Sequence, residues 1–152
     1  TLDKGSLLVR KRSVKQGPVQ IEMAFADGKV TGSMAMGGDP KPLNADLGGE
    51  IFADGAGKYE SLAHLPLKEG YAVTFRNFDI QKQKVSVKKM QVLGSEDVTV
   101  AAGSFKTWKL EVASAEGEPG STTVWIDVAS LKVLKTAATL PGGAAMTVEL
   151  QP

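Results

Sequence analysis

Alternation with a period of two constrains this chain more than any single residue does. Val19, Ile21, Met23 and Phe25 alternate with Gln20, Glu22 and Ala24. Successive side chains of a β-strand point to opposite faces, so such a run makes one greasy and one wet face. Tyr71, Val73, Phe75 and Asn77 repeat the pattern, as do Trp108–Val112, Thr123–Asp127 and Lys132–Thr136. Turn signals separate these runs. Asp27-Gly28 marks a hairpin, Gln16-Gly17-Pro18 and Gly37-Gly38-Asp39-Pro40 mark two turns, and Pro141-Gly142-Gly143 breaks the uncharged stretch after Lys135.

Strand one is expected over Ser6–Lys15, its partners over Val19–Phe25 and Val30–Met36, and a short strand over Leu43–Leu47. Gly32 weakens the third and suggests a bulge. Ala53–Gly57 reads as a loop. Lys58–Leu65 is the one window with helical spacing, and Pro66 stops it. Over Val85–Leu93 the apolar phase changes from Val85/Val87 to Met90/Val92, which predicts a bulge near Lys88-Lys89. Nine or ten strands and one helix define an all-β fold with one short helix: a strongly curved antiparallel sheet, either an incomplete barrel or a sandwich.

With 152 residues, residues 1–152 read as a single β-rich domain. A chain of this length buries roughly 70% of its unfolded surface without a disulfide or metal staple. A net charge of +1 argues against a nucleic-acid partner. No run reaches the ~18 apolar residues of a transmembrane helix. The lack of cysteine removes thiol chemistry and suits either the cytosol or an envelope protein. The chain begins at Thr1 rather than Met, which predicts an excised domain or the mature part of a longer envelope protein.

Three segments carry a family likeness, which covers the chain from about Leu65 onward and, more weakly, from Ser6. They are Leu65-Pro66-Leu67-Lys68-Glu69-Gly70-Tyr71, the hairpin Val98-Thr99-Val100-Ala101-Ala102-Gly103-Ser104-Phe105, and Trp125-Ile126-Asp127 followed by Val133-Leu134-Lys135. In these the chain resembles a bacterial family of envelope-associated domains of unknown function, distantly similar to LolA-like lipoprotein carriers and outer-membrane lipoprotein-sorting proteins. Ala101 stands where that family usually has proline. The shared residues are structural: Gly103 suits a turn with positive φ, and Asp127 can accept backbone N–H bonds in an Asx turn. The resemblance implies a periplasmic or extracellular setting and a concave sheet for an apolar ligand. It brings no catalytic residues.

The chemistry-bearing residues are few. His64 is the only histidine, no Gly-x-Ser-x-Gly surrounds a serine, and a two-histidine zinc motif is excluded by the count. His64 therefore reads as a helix-end residue, not a catalytic base. Asp39, Asn44, Asp46, Glu50 and Asp54 are oxygen-rich but lack calcium-loop spacing, so they read as solvated loop residues. Gly55-Ala56-Gly57-Lys58 is too short for a phosphate loop and fits a helix start. Arg10, Lys11, Arg12 and Lys15, with Lys82, Lys84, Lys88 and Lys89, fit solvated strand faces and edges.

The strongest functional lead is apolar. Met23, Phe25, Met34, Met36, Phe75, Met90, Trp108 and Trp125 are the expected lining of a cavity, and Met146 and Phe78 are suited to it by type, although a filled core uses the same types. The first expectation is thus a non-catalytic cell-envelope β domain that binds a hydrophobic or lipidic ligand on the concave face of its sheet, with Lys58–Leu65 over one opening and no cofactor. Its partners would be a lipid or apolar small molecule. The alternative is an interaction module appended to an extracellular enzyme such as a peptidase, partnered by other domains of the same polypeptide. An autonomous hydrolase ranks last.

Overall fold

A computed structural model describes residues 1–55, 57–80, 82–139 and 143–151. The loop position Ala56 and the break at Pro141-Gly142 lie outside the described residues. Ten strands and one helix follow in order: β1 (Lys11–Gln16), β2 (Val19–Ala26), β3 (Lys29–Met36), β4 (Lys41–Asp46), α1 (Lys58–Ala63), β5 (Ala72–Asp79), β6 (Lys84–Val100), β7 (Gly103–Ser114), β8 (Ser121–Asp127), β9 (Val133–Thr139) and β10 (Ala145–Glu149). They make two antiparallel sheets, β1-β2-β3-β4 and β10-β9-β8-β7-β6-β5, and neither closes into a barrel. Every pairing described joins strands adjacent in sequence, as short turns favour.

Contacts gather the chain into two compact units. The first is Thr1–Ala56 with Arg76–Ser86, and the second is Gly57–Phe75 with Val87–Pro152. Periodicity identifies a strand but not the sheet or core it joins, so this division is invisible in the sequence.

In the first unit β2 buries Ile21, Met23 and Phe25 while Gln20, Glu22 and Ala24 stay exposed, as the alternation requires. Asp27 and Gly28 take φ of 51° and 68°, both left-handed, the geometry of a type I′ hairpin turn. Val9, Val30, Leu43, Leu47, Ile51 and Phe78 complete the core with those three. Phe78 meets Phe25 edge-to-face, with centroids 6.4 Å apart and planes at 76°. Gly32 carries no bulge: it pairs with Met23 in unbroken register.

Strand one begins later than Ser6. The Asp3 carboxylate accepts from the Gly5 and Ser6 N–H groups, and Leu7 takes φ of 58° while its N–H donates to the Asp3 carbonyl. That left-handed turn keeps Ser6 and Leu7 out of the strand; Leu8 and Val9 then make isolated antiparallel bridges with Phe52 and Leu2, and the continuous strand starts at Lys11.

In the second unit Met90, Val92, Leu110 and Val124 are almost wholly buried. The pairings Met90↔Val112, Val92↔Leu110 and Leu110↔Val124 place them on one sheet face. Leu62 and Ala63 of α1 are buried as well, and the helix lies against β9. It ends two residues short of Leu65. Pro66 disfavours helical backbone in the residue before it, and the last turn tightens instead, with the N–H groups of His64 and Leu65 donating three residues back.

The bulge of β6 exists, but at Leu93, where the register steps from Val92↔Leu110 to Gly94↔Lys109. Lys88 and Lys89 pair without interruption. Val85 packs against the core of the first unit, whereas Val87 and Met90 both belong to the second. The extra residue at Leu93 has a consequence further on. Val98 and Val100 pair with Phe105 and Gly103 and so fall on the sheet face opposite Val92, despite their even spacing from it.

Candidate functional site

The eight residues singled out as a cavity lining fall in different places. Met23 and Phe25 belong to the first unit's core, Met34 packs against it, and Met36 is 68% exposed at the end of β3. Phe75 and Met90 are buried in the second unit, where Trp108 and Trp125 are half-buried. None of these eight lines the groove described below, whereas Met146, suited by type, does.

The polar candidates are engaged locally. Arg10 pairs with Glu50 at 3.3 Å, Arg12 with Asp54 at 3.1 Å, Lys11 with Glu22 at 3.5 Å and Lys88 with Glu118 at 4.0 Å. Two acids of the oxygen-rich loop thus serve arginines, and the Asp46 carboxylate accepts from the Gly48 N–H at 2.8 Å. No cluster of three or more metal-ligating side chains occurs among the described residues. His64 is exposed, with Nδ1 2.8 Å from the Glu60 carbonyl oxygen. Ser61 is 2% exposed, and its hydroxyl donates back to the Gly57 carbonyl. Helix geometry thus points serine and histidine to separate tasks. Asp127 behaves as an Asx-turn acid: its carboxylate accepts from the N–H of Ala129 and Ser130 and from the Ser130 hydroxyl. The serine hydroxyl bond above all holds its pKa below the usual value.

The second unit carries a groove of about 460 Å³ beside α1, within the size range of small-molecule sites. Its floor follows from strand register. Thr122, Ala138 and Met146 lie opposite one another across β8, β9 and β10, and Thr136 lies opposite Val148. Val133 and Leu134, where the β8–β9 register shifts, line the groove as well. Lys58, Tyr59 and Glu60 from the first turn of α1 also line it. The floor is unusual in what it leaves in water: Met146 is 55% exposed, Val148 56% and Leu150 37%. Large apolar side chains this open thus recur along one strand face.

Charge at the groove is partly spent. Lys135 pairs with Glu149 at 2.8 Å. The Lys58 ammonium sits 4.7 Å from the centre of the Tyr59 ring, which positions an aromatic face and a cation together at the helix start.

The other sheet face carries a polar rack. Trp125 lies between Lys109 and Lys135 in register, with each ammonium 5.6 Å from a ring centre, and Lys109 pairs with Glu96 at 3.3 Å. The two faces of this sheet therefore differ sharply.

Sequence reasoning missed Tyr59, Leu134, Val148 and Leu150 as lining residues. The alternation Met146/Val148/Leu150 was a visible signal, but a two-residue repeat does not distinguish a face that is covered from one that is open.

A family model described as a protein of unknown function, DUF3108, matches residues 1–150. No curated protein and no solved structure matches the chain. No helix among the described residues is long and apolar enough to cross a membrane.

Proposed function

Because the chain belongs to the DUF3108 family, a family of unknown function, we propose its function from its own residues: a non-catalytic binding module that holds a hydrophobic or lipidic ligand in the groove between α1 and the β9–β10 edge. The observation that carries this reading is the exposure of Met146, Val148 and Leu150 around a space of about 460 Å³. An alkyl chain lying there gains about 0.8 kcal/mol for each methylene it removes from water. Tyr59 offers an aromatic wall and Lys58 a cation beside it. The setting proposed is the bacterial cell envelope, from the resemblance of the turn and hairpin residues to an envelope-associated family.

Native mass spectrometry of freshly purified protein and titration with a fluorescent fatty acid test the reading together. An apolar adduct and saturable uptake are expected, weakened about tenfold by Tyr59→Ala, which removes one wall. Clean spectra with no uptake overturn it.

A further inference from the structure

We propose that β10 is a self-association strand: two copies of this chain pair antiparallel along it, with Thr147 on the two-fold axis. The direction of the backbone groups supports this. The Leu150 N–H donates to the Leu134 carbonyl at 2.7 Å, so Leu150, and with it Val148 and Met146, turn their backbone groups toward β9. Ala145, Thr147 and Glu149 then turn theirs outward, along the edge of the six-stranded sheet.

That set is self-complementary. Thr147 is the centre of Ala145–Glu149. A two-fold axis through it exchanges both Thr147 hydrogen bonds with the second copy, and Ala145 and Glu149 of the two copies form the flanking hydrogen-bonded pairs. Met146 comes opposite Val148 of the second copy, in the closer, non-hydrogen-bonded positions where side chains pack best. The two exposed large apolar residues of the strand are thus the two that meet. Thr147 opposite its own copy is a favourable cross-strand pair.

Charge leaves this edge free to pair. Both edges of the four-stranded sheet carry residues that discourage it: Lys11, Arg12 and Lys15 on β1, Lys41 and Pro42 on β4. β10 has one charged residue, Glu149, and its carboxylate is held by Lys135 of the same sheet. Pairing about a two-fold axis also consumes the edge, so association stops at the dimer. So short a strand pair buries less than a standard interface of about 1,600 Å², which predicts a dissociation constant on the order of tens of micromolar.

Two measurements test this on the whole chain. In sedimentation velocity from about 1 µM to about 500 µM, the parent protein should pass from monomer to dimer across the constant expected for this contact. Thr147→Lys, which sets two ammonium groups against each other at the axis, should remain monomeric with an unchanged circular dichroism spectrum. The chain holds no cysteine, so single substitutions report position directly. Thr147→Cys places thiols about 5.5 Å apart between Cα atoms, within disulfide reach, and should cross-link under oxidised glutathione about tenfold faster than Met146→Cys. A parent protein monomeric at every concentration, one that pairs only with an added apolar peptide, or cross-linking without preference for position 147 overturns the proposal.

Discussion

The indole N–H of Trp125 donates a hydrogen bond to the Glu96 carboxylate from two strands away, with Lys109 on the strand between them. The bulge at Leu93 makes this possible, because it turns Glu96 to the face that carries Lys109 and Trp125. The tryptophan bond is the chief reason the Glu96 carboxyl titrates below its ordinary value, and Lys109 adds to it.

Trp125→Phe removes that donor and keeps the ring. Carbon-detected NMR titration of the Glu96 carboxyl should show its midpoint rising toward the usual carboxylate range. Glu96 is solvent-exposed, so the stability lost should stay below about 1 kcal/mol by urea denaturation. An unmoved midpoint would assign the shift to Lys109 instead.

Gly32 has a different dependence on its neighbour. A Cβ there would lie 1.9 Å from the Glu22 carbonyl oxygen on the paired strand. Gly32→Ala should cost about 3 kcal/mol or more, since backbone must move to admit it. Gly38→Ala, where a Cβ meets nothing within 4 Å, should change stability by less than about 0.5 kcal/mol. Equal costs in denaturant titration would refute the close approach as the cause.

Asp127 predicts a pH dependence with a definite sign. Its folded pKa is lowered from the ordinary 3.8, chiefly by the Ser130 hydroxyl. A depressed carboxyl adds stability above its unfolded value and loses it as pH falls through the folded one. Thermal melts should therefore show an acid-side loss, below about pH 4, that is smaller in Ser130→Ala. At neutral pH Asp127→Ala should cost about 2 kcal/mol, because three donors lose their acceptor. A variant that melts like the parent at every pH would remove Asp127 from the account.

Much of the local structure was legible in the residues. Asp27-Gly28 specified its hairpin because few pairs tolerate two left-handed φ values in succession. Gly103, at φ of 133°, and Asp127, in its Asx turn, follow the same local logic. Strand one was legible only in part, because the turn at Leu7 depends on the Asp3 carboxylate, a contact that periodicity does not register.

By itself the sequence determined that this chain forms antiparallel strands with one short helix, since side-chain alternation, turn residues and Pro66 act over a few neighbouring positions. The tertiary structure alone decided that the chain forms two compact units, with β5 and β6 contributing residues to both, that the extra residue of β6 is Leu93, and that the apolar face left open is that of β10 beside α1. The physical reason is range. Whether an apolar face is covered depends on segments distant along the chain, and no local pattern of side chains carries that information.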